Sequence, residues 1–255
     1  MALQQVLQQW FSTSPGSELL HLEQECIARL QGNLFGHYLV GAGYGALISP
    51  SRVRTAVLLG EGERRPGVLQ VRGALTQMPL QSDAVDVVVL AHALDFTVDP
   101  HQVLREVERI LIAEGRLILL GFNPYSLWGV RRLLRIPRRV LPWSGAFISQ
   151  RRVVDWLRLL GFEIERVERL MYRPPLRTSG GMRGIGFIEA MGARWWPPLA
   201  AVYVIQAVKR VSTLTLIQPP WKLNRVIKPS LVEPSARNRV EREAKGEERG
   251  AMNDE

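Results

Sequence analysis

The residues able to do chemistry gather behind one apolar run. Val85 to Leu90 reads Val-Asp-Val-Val-Val-Leu, and Ala91, His92 and Asp95 follow at once. A run this apolar is a strand buried on both faces. In an open parallel sheet, ligands sit beyond the carboxyl ends of the strands. His92 and Asp95 therefore stand where a ligand would be. An imidazole there serves as a general base or a substrate contact, or it packs at the strand end. Asp95 either faces a cleft or caps the next turn. Asp86 sits at the start of the run and reads as structural, a carboxylate that bonds loop amides.

Other routes to catalysis are thinly represented. The single cysteine, Cys26, lies on the apolar face of a helical segment and reads as core. It rules out an internal disulfide and a cysteine-based zinc cluster. His21, His37 and His101 lack partners at metal-ligand spacing, so no metal is expected. No Ser/His/Asp or Cys/His set is visible.

The elements that position these residues follow from apolar spacing. Residues 3–11 and 17–30 have helical periodicity, with Ser14-Pro15 between them as a stop and restart. Tyr38 to Val40 reads as a short strand running into Gly41, Gly43 and Gly45. Segments 55–60, 67–73, 85–90 and 116–122 read as further strands, and 101–111 as a helix. A helix over 151–162 closes at Gly161, strand 163–172 follows, and 200–210 is the last strand. Prolines and glycines fill 173–200 around a short helix near 184–191. The predicted organisation is a helical segment over 1–35, an α/β domain over 36–211 and a disordered polar tail over 212–255. Continuous apolar strands with intervening helices predict a parallel sheet covered on both faces.

Charge is unevenly placed. The net charge is +9, and Gly115 to Val154 holds eight arginines and no acid. This basic insertion, about 125–150, places Arg131, Arg132, Arg135, Arg138 and Arg139 on one arc of a helical wheel. Leu127, Val130, Leu133, Leu134 and Ile136 lie opposite, and Pro137 interrupts the helix. Four readings stand: a solvated face, a contact to RNA phosphates, docking on an anionic surface, or a lid. Apolar runs fall short of the ~18 residues that span a bilayer, so no transmembrane segment is expected. The N-terminus lacks the pattern of a signal peptide. A reducing, cytoplasmic setting is expected.

Residues 71–124 carry a recognisable order of motifs. They run Met78-Pro79, Ala84-Val85-Asp86, Leu94-Asp95-Phe96, Asp99-Pro100, Leu104-Arg105-Glu106, Arg109-Ile110-Leu111, Gly115 and Leu117 to Leu120. This order resembles the class I S-adenosylmethionine-dependent methyltransferases of the type 11 group. The resemblance implies a seven-stranded, mostly parallel, doubly wound Rossmann-like sheet whose last strand is antiparallel. It implies S-adenosylmethionine as cofactor, held by Gly41, Gly43, Gly45, Glu61 (with Glu63 as runner-up), Gln77, Met78 and His92. Met78 would wall the adenine. His92 is the candidate base if the acceptor must lose a proton. Three positions depart from the family pattern: Leu39 and Ala74 stand where carboxylates are usual, and the link after Glu61 is short. The expected activity is methyl transfer to a small molecule or an RNA. The alternatives are a binding or scaffold protein that has lost catalysis and, less favoured, a nicotinamide-dependent oxidoreductase.

Overall fold

The central strand is the apolar run itself. The computed structural model describes residues 7, 9–32, 34–43, 47–48, 53–60, 66–133, 144–173 and 195–211. All of these belong to the first of two compact units, Met1–Ser212, and the expected tail lies outside them. The elements are α1 (Ser14–Gln31), β1 (Gly36–Gly43), β2 (Val53–Leu59), β3 (Val68–Val71), β4 (Val85–Ala91), α2 (Pro100–Ile110), β5 (Leu111–Phe122), α3 (Leu127–Leu133), α4 (Gln150–Leu159), β6 (Phe162–Leu170) and β7 (Val202–Lys209). A short 3-10 turn, Leu94–Phe96, follows β4.

The sheet has seven strands in the order β3-β2-β1-β4-β5-β7-β6. Strands β1 to β5 pair in parallel, and β7 runs antiparallel to both of its neighbours. This is the doubly wound arrangement read from the sequence. β4 is interior on both sides, which explains its unbroken Val-Leu content.

The two faces are covered differently. On one, Val103, Leu104, Val107 and Ile110 of α2 and Val153 and Leu157 of α4 pack on Val88, Leu90, Leu117 and Leu119. Asp99 starts α2 by accepting from the Gln102 amide at 2.9 Å, with Pro100 in the first helical turn. On the other face, Leu19, Cys26, Ile27 and Leu30 of α1 pack with Leu39, Ala56, Leu58, Val87 and Val89. The links β1–β2 (44–52) and β2–β3 (60–67) are shorter than the dozen or more residues of a usual helical crossover. α1, with Leu7, Trp10 and Phe11 before it and Leu47 and Ile48 beside it, does the covering instead.

Three expectations change. β1 extends through Gly43, so Gly41 is a strand residue. An added Cβ on it would come within 1.7 Å of Ile48 Cδ1, so its bareness serves packing. Second, β5 begins at Leu111, several residues before the predicted start: Leu111 pairs with Val85 and Arg116 with Val87, and left-handed Glu114 (φ 63°) lies in the bulge between them. Third, α3 is turned over. Its Leu127, Val130 and Leu133, expected against the body, are exposed, and Trp128 and Gly129 are buried. The large indole takes the interior place, its Nε1 donating to the Arg173 carbonyl at 2.9 Å. An added Cβ on Gly129 would meet the Pro124 carbonyl oxygen at 1.9 Å, so the helix seats closely on that side. Arg132 lies over the Phe147 ring at 5.3 Å and is half-buried. Arg135, Arg138 and Arg139 lie outside the described residues.

Asp86 ties the start of β1 to β4. Its Oδ2 accepts from the amides of His37 at 3.0 Å and Tyr38 at 2.9 Å. Asp86→Ala leaves both donors without that acceptor. It should lower stability to urea by about 1–3 kcal/mol, with Asp86→Asn losing less. Equal stability of Asp86→Ala and wild type would show that water replaces the carboxylate there.

Candidate functional site

Strands β1, β2 and β4 end on the same edge, where Gly43 stands beside Ala91 and Ala42 beside Leu59. Gly43 has φ 90°, and an added Cβ would lie 2.0 Å from the Ala91 carbonyl oxygen. Only glycine fits there. Above it opens a cavity of about 530 Å³. Its wall is formed by Gly43, Leu59, Gly60, Gly73 to Thr76, His92, Ala93, Phe96 to Val98, and Leu7 from the N-terminal segment. The wall is largely apolar, with backbone, two threonines and one imidazole as its polar parts.

Under this wall lies a buried polar chain. His92 Nε2 is 2.8 Å from Glu23 Oε1, and its Nδ1 is 3.3 Å from Asp95 Oδ2. All three side chains are buried. Asp95 Oδ2 also accepts from the Phe122 amide at 3.0 Å. His92 takes φ 55°, uncommon for a residue with a Cβ, and its amide donates to the Leu120 carbonyl at 3.1 Å. Its ring stacks on Phe122 with centroids 4.2 Å apart. The position is thus fixed from α1, β4 and β5 together.

The electrostatics follow from burial against paired charge. Burial alone would push the His92 imidazolium down, but the Glu23 carboxylate and the bonds to Asp95 and Glu23 outweigh it and lift the pKa to about 9. Burial also raises Asp95 above the ordinary carboxylate range, against the pull of His92 and of the Phe122 and Ile148 amides. An isolated ion pair would lower the carboxylate. Both upward directions mean that the chain holds its proton more tightly than water would.

The sequence placed seven residues at this site. Gly43 and His92 are on the cavity wall. Gly41 is within β1 under Ile48. Gly45 and Glu61 lie outside the described residues, as does Glu63, although Gly60 immediately before them is on the wall. Gln77 and Met78 are not on the wall. The turn closes through the bridge between Ala74 and Gln77, leaving Gln77 exposed. Met78 is gripped by its backbone, its amide donating to Glu106 Oε2 at 2.8 Å and its carbonyl accepting from Arg109 Nη2 at 2.9 Å. That grip turns the side chain into the core, so Gly73 to Thr76 supply the wall instead. His92 does not offer a free ring nitrogen, so the geometry does not support it as a base. Asp95 belongs to the buried chain and not to a free cleft surface.

Glu23 was missed. The signal was present: Leu19, Glu23, Cys26, Ile27 and Leu30 share one helical stripe, and a carboxylate on that stripe needs a buried partner.

Comparison with known proteins agrees with this geometry. Residues 35–119 match the family model described as a methyltransferase domain. An S-adenosylmethionine-dependent methyltransferase from Thermotoga maritima superposes with a TM-score of 0.55 at 21% identity, over 75% of this chain and 89% of that one. The chain has the class I methyltransferase fold. The uncharacterized protein YafS of Escherichia coli (strain K12) is 34% identical over 148 residues, 58% of this chain and 58% of YafS. The demethylmenaquinone methyltransferase of Chlamydia pneumoniae is 27% identical over 84 residues, 31% of this chain and 36% of that protein. The chain thus matches less than two thirds of the length of either curated relative. In this methyltransferase fold the cavity lies at the carboxyl edge, beside the reversal of strand order between β1 and β4.

The buried chain makes stability depend on pH. A folded pKa of about 9 against an unfolded value of 6.5 means that the folded state binds the His92 proton more tightly. The contribution is complete below about pH 6.5 and is lost as pH rises through about 9, up to about 3 kcal/mol in all. Urea unfolding from pH 6 to pH 10 should show this decline for wild type. Glu23→Gln should be less stable at neutral pH and show a flatter decline. Parallel curves for the two proteins would separate the pH dependence from His92.

Proposed function

We propose that this protein is an S-adenosylmethionine-dependent methyltransferase acting on a small, largely apolar acceptor. The observation that carries the reading is the cavity at the carboxyl edge, whose wall includes Gly43, the left-handed last residue of β1. Its volume of about 530 Å³ lies within the usual range for small-molecule sites. The cofactor fits the residues present. Gly43 would admit its amino acid end, and Gly60 and Gly73 to Thr76 would border its nucleoside. Glu61, directly after Gly60, is the carboxylate proposed for the ribose hydroxyls.

When bound, S-adenosylmethionine supplies a methyl group already activated on a sulfonium. The chain's own residues orient and dry the site. Leu59, Ala93, Phe96 and Val98 form a wall suited to an apolar acceptor. The Glu23–His92–Asp95 chain fixes the floor and takes no proton from the acceptor, since both ring nitrogens are engaged. The acceptor is then one that is nucleophilic as it binds or loses its proton to water. A second reading, binding without catalysis, is favoured by Leu39, buried in β1, and by Ala74 on the wall. Both stand where the resembling family carries acids.

Titration calorimetry with S-adenosylmethionine, S-adenosylhomocysteine and NAD tests the reading. Wild type should bind the first two and not NAD. Gly43→Ala should weaken binding by about tenfold or more, the equivalent of about 1.4 kcal/mol. Gly67→Ala is the control, being left-handed (φ 76°) with nothing within 4 Å of the added Cβ. Absence of S-adenosylmethionine binding, or binding of NAD in its place, would overturn the proposal. Binding without methyl transfer to any apolar acceptor tried would favour the second reading.

A further inference from the structure

We propose that the rim formed by α3 and residues 195–199 docks on the surface of an anionic lipid bilayer. It stands apart from the methyltransferase reading and needs no cofactor.

The rim is one connected surface. Phe122 at the end of β5 pairs with Val202 at the start of β7, so the segments beyond them share an edge of the sheet. Asn123 joins them: its Nδ2 donates to the carbonyls of Pro198 at 2.6 Å and Ala200 at 2.8 Å, and its Oδ1 accepts from the Tyr125 amide at 3.1 Å. α3 is held from beneath by Trp128, which is fully buried and stacked with Phe122. The exposed residues of α3 are therefore displayed on a rigid support.

What is displayed is unusual for a surface meant only for water. Leu133 is 81% exposed, Trp195 69%, Tyr125 65% and Trp196 54%, with Leu127 and Leu199 also exposed. Scattered single apolar residues need no explanation, but a grouped set with two adjacent tryptophans marks an interaction surface. Tryptophan and tyrosine favour the boundary between headgroups and chains, where one end is dry and the other wet.

The charge beside them has a matching sign. A hollow of about 330 Å³ lies beside Tyr125 and Pro198, lined also by Asn123, Ser149, Gln150, Arg151 and Arg169. Both arginines are exposed and no lining residue is acidic. A guanidinium pair in a polar hollow suits a lipid phosphate. The same sign continues in the sequence next to the rim, where no acid stands from Asn123 to Val154. Among the described residues, no helix is long and apolar enough to cross a membrane. The contact would thus be a surface one, made by apolar insertion together with attraction to anionic headgroups. RNA would use the arginines and an aromatic ring, but it gains nothing from exposed Leu127, Leu133 and Leu199.

Vesicle flotation of the full chain tests this. Vesicles of phosphatidylcholine alone are compared with vesicles of phosphatidylcholine mixed with phosphatidylglycerol, and a labelled single-stranded RNA forms a third arm. Wild type should float with the mixed vesicles and far less with the neutral ones. Trp195→Ser/Trp196→Ser and Arg151→Gln/Arg169→Gln should each lose about tenfold or more in binding. Both should keep the wild-type melting temperature, because all four side chains are exposed. Calorimetry on the same samples reads cofactor binding separately, so failure of one proposal leaves the other standing. No flotation with mixed vesicles would overturn the proposal. So would binding to RNA, or to vesicles, that ignores the tryptophan substitutions.

Discussion

A carboxylate with no access to water, Glu23, sits in the middle of the helix that closes one face of the sheet. The helix has to be there. The links from β1 to β2 and from β2 to β3 are too short for ordinary helical crossovers, so that face of the sheet lacks its usual cover. α1 supplies the cover and brings Glu23 inside with it. A buried carboxylate without a partner is too costly to keep, and His92 is the partner. Reaching it requires the left-handed backbone at His92, and holding the ring requires Asp95 on its far side. Asp95 in turn takes the Phe122 amide at the end of β5. One buried charge thus connects α1, β4 and β5. Removing one partner of such a group typically costs about 3–5 kcal/mol, a large share of the stability of a domain.

The same chain of bonds sets the chemical character of the cavity. An imidazole with a carboxylate at each nitrogen is a held cation and not a proton acceptor near neutral pH. This accords with the proposed methyl transfer, in which the activated group would arrive on a cofactor and the protein would orient and dehydrate. With both ring nitrogens engaged, His92 has no free base to give. The apolar wall above it fits the same logic, since a dry wall strengthens orientation without supplying reactive groups.

Much of the fold was legible because its strands are buried on both faces. Val85 to Leu90 and Leu117 to Leu120 had to be interior, and the helix over 101–111 showed its stripe plainly. The site was less legible, for identifiable reasons. Met78 stands in the Met78-Pro79 pair that opens the motif order, but its direction is set by Glu106 and Arg109, whose grip on its backbone is a tertiary contact. Gly41 has the spacing of a ligand loop, yet Ile48 fills the space beside it. Glu23 was readable as a charge on an apolar stripe, but its partner lies 69 residues away in sequence. α3 was misread because a helical wheel weighs residues equally. One buried tryptophan and a close-packed glycine outweighed three aliphatic side chains.

The two edges of the sheet divide the work. At the amino edge of the parallel strands the polar groups are cross-tied. Lys209 donates to Asp83 and to the carbonyls of Glu108 and Leu111, Asp86 takes two amides of β1, and Arg210 pairs with Glu114 and Glu163. These ties join β1, β4, β5, β6 and β7 where no ligand is needed. At the carboxyl edge the strands end in turns that leave backbone and apolar side chains open, over Gly43 and around Trp195 and Trp196. The rigidity given by the first edge, and by the buried chain beneath the second, is what lets the second remain open. An open apolar cavity held only by loops would collapse on itself, because its wall gains by burial. Here the floor is fixed by Phe122, which is shared between the His92 stack below the cavity and the Trp128 stack below the rim. Cavity and rim therefore rest on one side chain, and a shift of that ring would move both.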